Sequence, residues 1–130
     1  MKLLLDTHIW IRWLSAAQPL DDKLISSIEE AERLAVSAVS CWEVTYLAKK
    51  NRIELPMALS EWMTAALDGS GVEVIDISSR IAVQSAELPD IHRDPADRFI
   101  IATALESGFH VVSFDERFKQ YDCIKDVLVT

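Results

Sequence analysis

The chain has 130 residues, half of them hydrophobic and only three of them glycine, which suits one ordered domain over 1–130 and excludes a linker or a disordered tail. A formal net charge of −8 excludes a sequence-independent nucleic-acid coat, which needs a basic face, but not an enzyme that meets nucleic acid through bound cations. No apolar run is long enough to span a bilayer, and the stretch before Asp6 is too short for a signal peptide. Cys41 and Cys123 lack metal-motif spacing, so free thiols and a cytoplasmic location are expected.

Taken in order, residues 2–5 form a short apolar run that predicts a strand buried on both faces. It ends at Asp6, and Thr7 is suited to cap a helix carrying Ile9, Trp10, Trp13 and Leu14. A loop at 18–21 leads to a helix with Leu24, Ile25, Ile28 and Ala31 along one stripe. A second strand is expected at 34–37. The next helix, about 39–50, has Val44, Leu47 and Ala48 on its inner face and Glu43 partly inward. Asn51 suits a left-handed helix end, and Pro56 closes the loop. Another amphipathic helix covers 58–67 and stops at Gly69 and Gly71. Residues 72–77 are the clearest strand, β-branched and flanked by breakers. Ser78 and Ser79 can cap a helix that stops before Pro89. Asp94 as cap and Pro95 at the first position open a helix over about 95–107, ended by Gly108. A strand at 109–113, a loop or short helix at Asp115 and an edge strand at 127–129 complete the chain. Strands alternating with helices predict an α/β protein, a three-layer α/β/α fold with a mostly parallel central sheet.

Asp97 is the first sign of chemistry. It falls in the first turn of the 95–107 helix, on the side of Ile100, Ile101, Ala104 and Leu105, where a carboxylate is costly without a partner. Parallel sheets collect active sites at the carboxyl ends of their strands. Asp6 ends the first strand, Glu43 lies in the helix leaving the second, and Asp115 follows the 109–113 strand, so the four acids can converge at one edge. Singly, each reads equally well as a cap, a turn residue or a solvated charge. Together they repel unless a cation neutralises them, and oxygen-only ligands suit Mg²⁺ or Mn²⁺ rather than zinc. Such a centre suits phosphodiester hydrolysis. Asp94 is better placed as a helix cap than as a metal contact. His92 and Arg93 precede it in a loop at the expected edge of the site, and Arg93 or Arg98 could meet a substrate phosphate or pair with neighbouring acids. His8 and His110 read as structural, and Trp10, Trp13, Trp42 and Tyr46 as core.

Several blocks in this order resemble the PIN-domain ribonucleases, specifically the VapC-type toxins. Leu3-Leu4-Leu5-Asp6-Thr7-His8-Ile9-Trp10 is similar to that family's opening strand and first metal-binding aspartate. Ser37-Ala38-Val39-Ser40-Cys41-Trp42-Glu43 resembles its Ser-x-x-Ser-x-x-Glu block. The most specific match is His92-Arg93-Asp94-Pro95-Ala96-Asp97-Arg98-Phe99-Ile100-Ile101-Ala102-Thr103-Ala104, in which Asp97 takes the place of the family's aspartate. Ser113-Phe114-Asp115-Glu116-Arg117-Phe118 resembles the Thr-x-Asp-x-x-Phe ending, with serine for threonine, and Asn51 stands where relatives often have glycine.

The resemblance implies a PIN-like fold and an Mg²⁺- or Mn²⁺-dependent endoribonuclease that leaves a 5′-phosphate, the toxin of a type II toxin–antitoxin pair. It implies Asp6 and Asp97 as metal ligands, Glu43 orienting water or sharing the ion, and Asp115 completing the site. Thr7 and Ser40 become candidate hydroxyls holding the carboxylates, with Asp94 beside them. It further implies an RNA substrate, a homodimer and a cognate antitoxin seated in a groove near Trp10 and Trp13. Alternatives are a structure-specific DNA nuclease, an acidic binding module without catalysis, or a phosphatase with an aspartyl nucleophile. The last needs a second aspartate two residues after the first, where this chain has His8.

Overall fold

The computed structural model describes residues 1–15 and 19–129. Strands β1 (Lys2–Leu5), β2 (Arg33–Ser37), β3 (Glu73–Ile75), β4 (His110–Val112) and β5 (Leu128–Val129) form one sheet in the order β3-β2-β1-β4-β5. All of these pairings are parallel, with Leu4 opposite Ala35 on one side and Val111 on the other. The helices are α1 (Thr7–Trp13), α2 (Asp22–Glu29), α3 (Ala38–Lys49), α4 (Leu59–Leu67), α5 (Ser79–Glu87) and α6 (Pro95–Ser107). Two short 3₁₀ turns, Glu116–Gln120 and Asp122–Ile124, lie between β4 and β5. Gln18, in the expected 18–21 loop, lies outside the described residues.

Alternation along the strands divides the core in two. Leu3 and Leu5 of β1, Val36 of β2 and Val112 of β4 pack with Trp10, Leu24, Ile28, Val44 and Trp62. Their neighbours Leu4, Ala35 and Val111 point the other way and pack with Ile100, Ile101, Ala104, Phe118 and Tyr121. Successive strand residues face opposite sides, so a central strand buried on both faces must be apolar at every position. This makes three layers, with α1, α2 and α4 on one face and α6 with the 3₁₀ turns on the other. No helix among the described residues is long and apolar enough to cross a membrane.

Local chemistry accounts for most element ends. Asp21, Ser37, Ser78 and Asp94 each accept a main-chain N–H in the first turn of the helix they cap. Gly108 ends α6 with φ of 74°, and Asn51 follows α3 with φ of 56°. Three expectations need correction. The 72–77 stretch yields only a three-residue strand at the sheet edge, with Val74 and Ile77 exposed, because β3 has a neighbour on one side alone. Thr7 is not a cap: Asp6 occupies that position and Thr7 is buried inside the first turn. Trp42 and Tyr46 are not core, since α3 buries Val39, Ser40 and Val44 and leaves these two rings stacked outside with centroids 5.2 Å apart.

Candidate active site

The strand order reverses between β1 and β4: from β1 the chain moves outward to β2 and β3, then returns to the other side. Clefts form outside the carboxyl ends of strands at such a point. Asp6 sits there. Its main-chain N–H donates to the carbonyl of Val112 at 2.9 Å, which pins the ends of the two strands together. Its side chain makes no helix-cap bond; instead Ser113, just after β4, donates from its hydroxyl to Oδ2 at 2.7 Å. The same Ser113 oxygen accepts the N–H of Asp115 at 3.0 Å, so one buried hydroxyl fixes two acids.

Helix α3 starts at the carboxyl end of β2 and brings Ser40 and Glu43 to the same edge. Thr7 Oγ1 and Ser40 Oγ share a hydrogen bond of 2.8 Å, tying α1 to α3 beneath the acids. One turn beyond Ser40, Glu43 is half-buried and its Oε1 has no hydrogen-bond partner. Asp6 Oδ1 is likewise buried without a partner. Helix α6 presents Asp97 from its first turn, capped by Asp94, which accepts the N–H of Ala96 at 3.0 Å. Asp97 is 9% exposed and shares the inward side of α6 with Ile100, Ile101 and Ala104.

The electrostatics confirm that these side chains share one space. Burial, followed by the charges of Asp6, Asp94, Glu43 and Asp115, pushes the Asp97 carboxyl up to about 8. Burial likewise raises Asp6, partly offset by the Ser113 hydroxyl, and raises Glu43, offset by the Thr7 hydroxyl. Asp115 differs. Its partial burial acts to raise it, but the main-chain N–H and guanidinium of Arg117 and the ring of His92 outweigh that and hold it below the usual range. Asp97 and Asp115 thus lie in one ligand-sized group, and Asp6, Glu43 and Asp94 lie close enough to act on Asp97 through their charge.

Sequence reasoning placed one member, His92, only in a loop at the edge of the site and gave it no role. His92 is buried, with Nε2 3.2 Å from Asp115 Oδ2 and 3.7 Å from Asp97 Oδ2. Ligand-capable atoms of His92, Asp97 and Asp115 lie within 4.8 Å of one another. Its signals in the sequence are its place just before the Asp94–Pro95 cap and at the head of the block that matches the family most specifically. Arg98 pairs loosely with an acid, Asp90 at 4.0 Å, but its main role is another. Its guanidinium donates to the carbonyls of Ser85, Ala86, Leu88, Pro89 and His92 at 2.7 to 3.3 Å, closing the end of α5 and the loop that carries His92. Arg98→Ala is expected to cost about 3 kcal/mol, because several carbonyls lose a charged donor at once. Thermal unfolding of the purified variant measures this; a melting temperature within a degree of the parent would contradict it. Trp10, expected near a partner groove, is wholly buried against Trp62, whereas Trp13 is only partly buried.

Buried carboxylate oxygens without donors, beside an acid forced toward neutrality, are what a hard divalent cation would satisfy. The residues present fit such an ion: among the described residues His92, Asp97 and Asp115 bring ligand atoms within 4.8 Å of one another, and Asp6 and Glu43 add unpartnered oxygens beside them. The wider comparisons agree with this architecture. The PIN domain family model matches residues 3–123. Ribonuclease VapC22 of Mycobacterium tuberculosis is 34% identical over 120 residues, covering 92% of this chain and 91% of its own. Among solved structures, a toxin–antitoxin complex from Klebsiella pneumoniae contains a chain similar in fold, with a TM-score of 0.70 at 23% identity, covering 99% of this chain and 97% of that one. VapBC2 from Rickettsia felis, bound to a DNA fragment from its promoter, gives 0.69 at 20% identity, with coverage of 99% and 98%. With a family match spanning nearly the whole sequence and a relative aligned over nine-tenths of both chains, the protein belongs to the PIN domain family, among its VapC-type members.

Proposed function

We propose that the protein is a divalent-metal-dependent endoribonuclease, the toxin of a type II toxin–antitoxin pair. The observation that carries this reading is the acidic cluster itself, with Asp6 Oδ1 and Glu43 Oε1 buried without partners and Asp97 pushed up to about 8. A fold does not need such a group for stability, since burying unpaired carboxylates destabilises it. The similarity to a ribonuclease and to toxin–antitoxin complexes supports the choice of substrate and partner.

In this reading Asp6 and Asp97 would hold Mg²⁺ or Mn²⁺ with Asp115 completing the set, while Ser113 restrains Asp6 and Thr7, itself bonded to Ser40, restrains Glu43. The ion supplies the positive charge that phosphodiester hydrolysis needs at the phosphate. Glu43, with a buried oxygen free of hydrogen bonds, orients the attacking water and takes its proton. Water adds across the P–O3′ bond, leaving a 5′-phosphate and a 3′-hydroxyl. A basic side chain from an antitoxin would neutralise the same acids, and the chain would act as a homodimer. Purified protein with Mg²⁺ or Mn²⁺ is expected to cut single-stranded RNA to 5′-phosphorylated products and to stop when EDTA is added. Equal cleavage of matched DNA would favour a DNA nuclease, and a chain that neither hydrolyses nor binds metal would be an acidic binding module.

A further inference from the structure

We infer that His92 is a positioning residue of this centre: its ring, held from behind by Tyr121, fixes where the Asp115 carboxylate points. The inference rests on the nuclease reading above. His92 lies in the irregular loop between α5 and α6, yet it is 2% exposed. A loop residue buries a polar ring only when its nitrogens find partners. The imidazole stacks on Tyr121, centroids 5.5 Å apart and 8° from parallel, and meets the edge of Phe118 at 5.2 Å. The Tyr121 hydroxyl accepts the main-chain N–H of His92 at 2.9 Å and lies 3.2 Å from Nδ1. The carbonyl of His92 accepts from Arg98 at 3.3 Å.

The hydrogen-bond network assigns the tautomer. Nε2 lies 3.2 Å from Oδ2 of Asp115, a carboxylate held in its ionised form that accepts, so Nε2 carries the proton. Nδ1 then accepts from the Tyr121 hydroxyl, whose lone pairs remain available to the main-chain N–H. Oδ1 of Asp115 is fixed by the main-chain N–H of Arg117 at 2.9 Å, and among the described residues the side chain that competes with His92 for Oδ2 is the Arg117 guanidinium, at 3.2 Å. That guanidinium is exposed, and an exposed ion pair is a weak anchor. The buried imidazole, gripped at ring, amide and carbonyl, is the stiff one. Its Nε2 also lies 3.7 Å from Asp97, so a single donor spaces two of the acids. Oriented ligands bind metal more tightly than free ones, which is the role assigned here.

The test uses the full chain with Mn²⁺ as probe, following affinity by calorimetry, the ion's surroundings by spin-echo spectroscopy, and kcat and KM on single-stranded RNA. His92→Phe keeps the stacked ring and removes both ring hydrogen bonds. It is expected to weaken Mn²⁺ binding by about 10- to 100-fold and lower kcat with little change in KM. His92→Gln returns an amide donor near the Nε2 position and is expected to recover most of both. Unchanged affinity and kcat in a folded His92→Phe protein would overturn the inference, as would a His92→Gln protein as impaired as His92→Phe. A directly bound nitrogen in the wild-type spectrum would also overturn it, by making His92 a ligand. Should His92→Phe fail to fold, Tyr121→Phe decides: about a 3- to 10-fold weaker affinity supports the inference, and an unchanged one overturns it. Wild-type protein that binds no Mn²⁺ would instead remove the nuclease reading, and this inference with it.

Discussion

Asp97→Asn is expected to abolish RNA cleavage while making the metal-free protein more stable. The substitution nearly preserves shape but deletes the charge at the centre of the cluster. Loss of a metal ligand removes several kcal/mol of transition-state stabilisation, a fall on the order of 10³-fold or more in kcat/KM. Stability moves the opposite way. Asp97 is pushed up to about 8 by burial and by Asp6, Asp94, Glu43 and Asp115, so near pH 8 its partly charged form works against the fold. An uncharged amide relieves that, by about 2 kcal/mol once the imperfect pairing of the buried amide is allowed for. Thermal unfolding in EDTA should show the variant melting several degrees above the parent at pH 8, with no further gain on adding Mn²⁺. A variant that melts lower and still cleaves RNA would contradict both halves. A trade of this kind, stability against activity, is the mark of a site built for function rather than for packing.

The same acids set the pH dependence of the metal-free protein. Asp97 titrates at about 8 in the fold against 3.8 as its ordinary value, so between those values the native state holds a proton that the unfolded chain has lost. That contribution to stability is fully present below about pH 4 and is lost as pH rises through about 8. Its limiting slope is about 1.4 kcal/mol per pH unit for one proton. Asp6 and Glu43, also raised, act in the same sense. Asp115 is held low and acts oppositely, its contribution disappearing only as pH falls through the carboxylate range. In EDTA the melting temperature is therefore expected to drop between pH 6 and pH 8.5 by about 5 °C per pH unit at the steepest point. Mn²⁺ binds the deprotonated acids, so it should restore more stability at pH 8.5 than at pH 6 and release protons in a weakly buffered titration. A melting temperature indifferent to pH, or binding without proton release, would contradict the shared acidic centre.

Asp94, Pro95 and Gly108 mark both ends of α6 in the linear chain, because a cap, a proline at the first turn and a left-handed glycine act within a few residues of themselves. The apolar runs at β1, β2 and β4 are as legible, since a strand covered on both faces has no polar option. Asp6, Glu43, Asp97 and Asp115 could be read as one group only through strand order; the fold sets Asp97 and Asp115 together with His92 and places Asp6 and Glu43 near enough to act on Asp97 by charge. Three features were invisible at that level. Trp42 and Tyr46 look like core residues, yet the rotation of α3 about its own axis turns them outward. Arg98 looks available for phosphate, but the returning end of α5 places five carbonyls within its reach. His92 and Asp115 stand 23 positions apart and meet because Tyr121, Phe118 and Arg98 hold the loop that carries His92. Local signals specify where elements begin and end; which side chains meet depends on how those elements dock, a property of packing over the whole core rather than of any short stretch.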